Sequence, residues 1–267
     1  MIKLVNLLLE VQGKPKALIL AGAPGAGKGH ILRGLDLGGL NTFNIDDTFI
    51  DLLKQSGVSL NLKSHGPEER SAAAKAMAAA SRKHKKELIP NAIANKESFI
   101  LDGTSASQKN TLKLKGELEA AGYEVFMLYV YTDLERSLKQ NQDRFEKSDG
   151  KDRSLAPAIV LRTWNSVTQN YNQYKNEFGD KFASVANTLK DEKLGNLEDI
   201  VKKYLDPFEP QDKKPKTPAQ QARSDKNKAE VRAQIKILLA DKGVKGIIDN
   251  SVSAEEAQAK IQQFLTR

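Results

Sequence analysis

The chain has 267 residues, 39% of them apolar, which suffices for one large domain with a small appendix. Lys+Arg number 42 against Asp+Glu 34, a formal net charge of +8; so small and dispersed an excess favours polyanionic ligands without marking a nucleic-acid binder. With no cysteine and three scattered histidines (His30, His65, His84), disulfide frameworks, thiolate zinc sites and cysteine nucleophiles are excluded, and no metal-ligand spacing is left.

The N-terminal run from Leu4 to Val11 is apolar, but Glu10 interrupts it and no small-residue cleavage site follows. No window reaches the length of a membrane span, so a cytoplasmic protein without membrane contact is expected. Strand-like runs then alternate with helical ones. Strands are expected at 17–21, 42–45, 98–101, 124–131 and 181–185, and helices at 27–35, 68–94, 107–121, 134–146 and 157–178. The last helix spaces Val160, Trp164, Val167, Tyr171, Tyr174 and Phe178 along one face, as core packing does. Such alternation predicts a parallel sheet covered by helices on both faces, with ligands at the carboxyl ends of the strands.

Between Pro207 and Pro218 the chain places four of its nine prolines among lysines and glutamines, which reads as an extended linker over 207–228. It divides a body, 1–206, from a small helical module, 229–267. That module has helical spacing at Val231, Ile235, Leu238 and Leu239, and again at Ala257, Ile261, Phe264 and Leu265. Ser253 with Glu256 forms a capping box for the last helix. So small a unit can hardly bury a core alone, so it is expected to dock on the body, a partner or another copy, serving protein contacts or oligomerisation.

The strongest motif follows the first strand: Gly22-Ala23-Pro24-Gly25-Ala26-Gly27-Lys28, then Gly29 and His30 opening a helix. Glycine, four residues, then Gly-Lys, set between strand and helix, is a phosphate-binding loop. Its glycines let the backbone wrap phosphate oxygens, its N–H groups and the helix dipole favour an anion, and Lys28 would bridge the β- and γ-phosphates of ATP. The Ser/Thr that usually ligates Mg²⁺ is Gly29 here, so the metal must lean on carboxylates and water. The same loop sequence resembles that of adenylate kinases, where glycine also follows the lysine.

Three further segments complete the constellation. Asn44-Ile45-Asp46-Asp47-Thr48-Phe49 ends the second strand, where a kinase needs a carboxylate to orient an acceptor hydroxyl and take its proton; helix capping is the ordinary role for one of the two aspartates. Phe99-Ile100-Leu101-Asp102-Gly103-Thr104 is an apolar strand ending in an acid, placed to hold Mg²⁺. Residues 134–162 carry Arg136, Arg144, Arg153 and Arg162. Arg144 and Arg153 flank a glycine-containing break and read as lid arginines that stabilise transferring phosphate charge; Arg136 and Arg162 read as solvated surface charges.

In this order the segments resemble the P-loop kinases that include zeta toxins and phage-type polynucleotide 5′-kinases, over residues 17–185. The resemblance implies an α/β three-layer sandwich with a five-stranded parallel sheet in order 2-3-1-4-5, ATP with Mg²⁺, and γ-phosphoryl transfer to a hydroxyl. The zeta-toxin pattern, Asp-x-Phe, selects Asp47 as base; the polynucleotide kinase pattern selects Asp46, otherwise a metal ligand beside Asp102. The run from Lys139 to Arg144 is similar to the polynucleotide kinase lid, except that one lid arginine falls on Gln140.

The reading taken is a kinase for a small acceptor: a nucleoside, nucleotide or nucleotide sugar. The alternatives are a 5′-hydroxyl kinase on nucleic acid and an ATP-binding regulatory or assembly module without transfer. Lys63, Arg70, Arg82, Lys83, Lys85 and Lys86 would supply charge for nucleic acid, but no aromatic lies between Phe49 and Phe99 to stack a base.

Overall fold

The structure, a computed structural model, describes residues 13–37, 40–62, 64–148, 152–188, 196–207, 217–240 and 242–266. The N-terminal run 4–11, Lys63, the lid residues 149–151 and the proline-rich stretch 208–216 lie outside the described residues. Five strands, β1 (Lys16–Ala21), β2 (Asn41–Asn44), β3 (Phe99–Asp102), β4 (Glu124–Tyr131) and β5 (Phe182–Ala186), form one parallel sheet in order β2-β3-β1-β4-β5. This is the expected order. β1 and β4 pair along the whole of β1, Lys16 opposite Glu124 through Ala21 opposite Tyr129. Both read as almost unbroken apolar runs because both of their faces are covered.

Among the described residues the helices in chain order are α1 (Lys28–Leu32), α2 (Ile45–Gln55), α3 (Pro67–Lys83), α4 (Ile89–Ala94), α5 (Gln108–Ala120), α6 (Leu134–Lys147), α7 (Pro157–Gln169), α8 (Tyr171–Phe178) and α9 (Leu197–Ile200). Three more follow: α10 (Pro218–Ala240), α11 (Lys242–Asp249) and α12 (Ala254–Thr266). Side chains alternate across the sheet. Ala17, Ile19, Val125, Met127 and Tyr129 face a core built with α6, α7, α8, α10 and α11, where Trp164, Tyr171 and Tyr174 are buried as the aromatic stripe predicts. Leu18, Leu20, Phe126, Leu128 and Val185 face the other way, against Ile31 and Leu32 of α1 and Ala257, Ile261 and Phe264 of α12. A third, smaller cluster joins α2 to α3 through Phe49, Leu53 and Ala80.

Four expectations are corrected. The helix expected at 27–35 stops at Leu32, where Gly34 and Leu35 donate to the carbonyls three residues back and turn the chain. The helix expected at 68–94 is interrupted by a π turn, His84–Leu88; Pro90 has no N–H to offer the carbonyl four residues earlier, and the wider turn absorbs that loss. The helix expected at 157–178 breaks at Asn170, whose N–H is shared between Ser166 and Val167, yet its apolar stripe continues across the break.

The fourth correction concerns the linker read at 207–228. Residues 218–228 are instead the first half of α10. Thr217 and Gln220 cap it reciprocally: the Gln220 N–H donates to Thr217 Oγ1 (3.3 Å) and the Thr217 N–H to Gln220 Oε1 (3.1 Å), with Pro218 as the first helical residue. Alanine, glutamine, lysine and arginine are good helix formers, and polarity on every side hid the helix from a search for apolar period. The tail docks on the body: Ile235, Val244, Ile247, Ala257 and Ile261 are buried there, and Asn165 Nδ2 donates to Gln234 Oε1 (2.9 Å).

Candidate active site

The loop Gly22–Gly29 leaves β1 and is held from several sides. Gly22 has φ +151°, and a Cβ there would lie 2.5 Å from the Val130 carbonyl oxygen, a backbone atom of β4 that cannot yield. Ser137 Oγ of α6 donates to the Pro24 carbonyl (2.6 Å), and Asn187, just after β5, donates through Nδ2 to the Ala26 carbonyl (2.9 Å). Gln140 sits against Gly25. Its amide, oriented to satisfy both neighbours, donates to the Gly25 carbonyl and accepts from Arg136 Nε (3.0 Å). Arg136 is thus half-buried behind the loop and not the solvated charge that its spacing suggested. Arg162 is exposed, bonded only to its own helix through the Ala158 carbonyl.

Lys28 donates to the Gly22 and Ala23 carbonyls (3.0 and 3.3 Å), which holds its ammonium over the loop. Burial pushes its pKa down, Asp102 and Asp46 push it back up, and Arg144 and Arg153 oppose them. The charges of Asp102, Asp46, Arg144 and Arg153 are thus all within electrostatic reach of Lys28 at the carboxyl ends of the strands. Asn44 organises the acidic side: its Oδ1 accepts the Asp46 N–H (2.8 Å) and its Nδ2 donates to Asp102 Oδ2 (3.0 Å). It is the N-cap of α2, so neither aspartate is consumed by capping, and both lie in the first turn, where the helix dipole favours negative charge.

Burial pushes the Asp102 carboxyl above the ordinary carboxylate range; Lys28 pulls it back while Asp47 and Asp46 push it further. Asp47 lies exposed at the mouth, where partial desolvation by the surrounding walls, then Asp46, raise its pKa against the pull of Arg144. Asp46 is paired with Arg153, and Arg144 with Asp152 of the lid. Gly29 is exposed and a Cβ there would meet nothing within 4 Å. His30 is exposed, its Nδ1 accepting from Arg33 (3.2 Å).

Past the break, the lid is pinned to the loop that follows α2. The Ser154 N–H donates to the Leu60 carbonyl (3.1 Å), Ser154 Oγ donates to Asn61 Oδ1 (2.9 Å), and the two segments form a parallel bridge. Asn141 of α6 clamps the same lid residues, donating to the Leu155 carbonyl (3.0 Å) and accepting its N–H (3.3 Å). Behind Asp47, Thr48 Oγ1 meets Nε2 of the buried His84 at 2.9 Å.

Asn44, Ser137, Gln140 and Asn187 hold the site together, and the sequence reading passed over all four as functional groups. Asn44 had a signal, an Asn two residues ahead of an acidic pair at a strand end. Ser137 and Gln140 had a weaker one, lying on the face of α6 that continues to Arg144. Asn187 had none, because only the return of β5 beside β4 brings it to the loop. Among the described residues no group of three or more His, Asp or Glu side chains is placed to hold a metal alone, and no helix is long and apolar enough to cross a membrane.

Several solved structures are similar to this chain. The AvrRxo1-ORF1:ORF2 complex gives a TM-score of 0.49 at 15% identity, over 68% of this chain and 58% of that one; this chain spans under two thirds of its length. The same pair of proteins with ATP gives 0.46 at 15% identity, over 94% of this chain and 82% of that one. A protein of the PezAT chromosomal toxin-antitoxin system of Streptococcus pneumoniae gives 0.48 at 14% identity, over 88% and 94%. No curated protein matches the sequence. The model of the Zeta toxin family matches residues 6–194, which include the phosphate loop, both acidic segments, the lid and all five strands. The chain therefore belongs to the Zeta toxin family of ATP-dependent P-loop kinases.

Proposed function

We propose that this protein transfers the γ-phosphoryl group of ATP to a hydroxyl of a small acceptor, a nucleoside, nucleotide or nucleotide sugar. The observation that carries the reading is the set Asp46, Asp102, Arg144 and Arg153 within electrostatic reach of Lys28, with Asn44 bonding both Asp46 and Asp102 and Arg153 paired to Asp46, beside the glycine-rich loop that Lys28 folds over. The loop amides and Lys28 bind the β- and γ-phosphates. Asp47 accepts the proton of the acceptor hydroxyl as its oxygen bonds to the γ-phosphorus and the bond to the β,γ-bridging oxygen breaks. The pKa of Asp47 is raised, which suits a proton acceptor, while pairing with Arg153 engages Asp46; this favours Asp47 for the proton and Asp46 for holding charge. Arg144 and Arg153 take up the charge spread over the transferring oxygens.

The donor set suits Mg²⁺. Asp102 and Asp46 offer hard oxygens, the negative charges of Asp47 and Asp46 add to burial in raising the Asp102 pKa, and Mg²⁺ is commonly held by one or two carboxylates with phosphate oxygens and water. Asp102 and Asp46 would hold the ion, which would neutralise β- and γ-phosphate oxygens; Gly29 has no side chain to contribute. The pinning of Ser154 to Asn61 closes the acceptor side with polar backbone and side chains, which suits a small acceptor better than a polymer threaded across the sheet.

The test is incubation with γ-labelled ATP, Mg²⁺ and separate pools of nucleosides and nucleotides, nucleotide sugars, and 5′-hydroxyl oligonucleotides. Label in one of the first two pools is the expected result. Label in the oligonucleotides selects the nucleic-acid kinase instead, and ATP binding without transfer to any pool selects the regulatory module.

A further inference from the structure

The tail beyond residue 194 lies outside the match to the family, yet it supplies much of one face of the core. On that face of the sheet, the described helices are α1, only five residues long, and α12. Ala257 and Ile261 are fully buried against Ile31, Leu32 and Ala26 of the phosphate loop and its helix. α1 has no side-chain N-cap of its own. At its far end Gln258 adds a bond from the tail: Nε2 donates to the Ile31 carbonyl (2.8 Å), which also accepts the Gly34 N–H (3.3 Å) where the helix turns. Gln262 Oε1 accepts the Asp36 N–H (3.2 Å) just beyond. The fit is close enough that a Cβ on Gly34 would lie 2.0 Å from Gln258 Nε2. The tail also reaches the loop by a second route. The Val252 N–H donates to the Ser184 carbonyl (2.8 Å) and Val252 bridges Val185, on the strand that runs into Asn187 and its bond to the Ala26 carbonyl.

We infer that Gln258 on α12 is a positioning residue for the nucleotide site, holding α1 and hence the phosphate loop in its binding geometry, so that ATP binding and tail docking are coupled. The inference rests on the ATP site proposed above. Coupling of this kind is reciprocal: whatever tightens the loop also tightens α12.

The test uses the full chain, with hydrogen–deuterium exchange measured with and without MgATP, alongside steady-state kinetics. MgATP is expected to slow exchange of the α12 amides. Gln258→Ala is expected to raise KM for ATP about fivefold, as for one lost hydrogen bond, with kcat unchanged and the nucleotide-dependent protection of α12 removed. Gly34→Ala, which displaces the Gln258 amide instead of deleting it, should do the same, and should add little in the Gln258→Ala background, since both act on one contact. ATP binding that depends on Lys28 but leaves α12 exchange and both KM values unchanged overturns the coupling alone. Wild-type protein that binds no ATP overturns the nucleotide site and this inference with it.

Discussion

At the scale of single residues, the site is a balance of opposed charges around Lys28, and substitutions should separate binding from transfer. Asp47→Asn is expected to lower kcat by about 10²- to 10³-fold while ATP affinity is kept, because it removes a proton acceptor and leaves the loop alone. Gly22→Ala should abolish ATP binding, read by titration calorimetry, because its Cβ would strike the Val130 carbonyl of β4. Gly29→Ser should do the reverse. Its Cβ has open space, so thermal stability is retained, and the added hydroxyl should lower the Mg²⁺ concentration needed for half-maximal rate. His84 gives a pH signature. Burial, then Lys83, push its pKa below the ordinary 6.5 against a weaker pull from Asp47, so it stays neutral in the fold where the unfolded chain takes up a proton. Its contribution to stability is full above pH 6.5 and is lost as pH falls below it. Urea midpoints from pH 5 to 7.5 should therefore fall more steeply toward acid for the wild type than for His84→Gln.

At the scale of elements, what was legible was whatever rested on local pattern. β4 is found where the sequence places it, Glu124–Tyr131, because a fully buried parallel strand is an apolar run with nothing to confuse it. The loop Gly22–Lys28 and the aromatic stripe of α7 and α8 are equally local. The first half of α10, residues 218–228, was misread because it carries no large apolar residues to form a stripe; its signal was the Thr217–Gln220 cap ahead of a run of helix formers. The π turn at His84 is a tertiary compromise around Pro90 that turns an imidazole inward beneath Thr48, and no periodicity in 68–94 announces it. In the site, Asp46, Asp102, Arg144 and Arg153 lie within electrostatic reach of Lys28, whereas Arg136 was misread, and the bonds of Asn187 to the Ala26 carbonyl and of Gln140 to the Gly25 carbonyl exist only once β5 and α6 have closed on the loop. These readings predict different costs. Thr217→Ala should destabilise α10 by about 1 kcal/mol, the usual loss of a cap. Trp164→Ala, at the centre of the stripe and buried, should cost about 3 to 5 kcal/mol in chemical denaturation.

At the scale of the whole molecule, the chain is one sheet whose two faces are completed by parts far apart in sequence. One face depends on α12, which returns from the end of the chain to the helix that follows the phosphate loop; the other is built around the aromatic stripe and receives α10 and α11. Strand order puts the loop, Asn44 with its two acidic neighbours, and Asp102 side by side at the carboxyl ends of β1, β2 and β3, and Ser154 is pinned to the turn after α2. The architecture thus brings the glycine-rich loop with Lys28, the acids Asp46, Asp47 and Asp102, and the Ser154–Asn61 contact to the same end of the sheet. The most direct test is single-turnover transfer from γ-labelled ATP by wild type, Asp47→Asn and Lys28→Ala, each with ATP binding measured in parallel. The account predicts that Asp47→Asn binds ATP and transfers at least a hundredfold more slowly, about the value of a lost general base, and that Lys28→Ala neither binds nor transfers. Transfer by Asp47→Asn at the wild-type rate would contradict it.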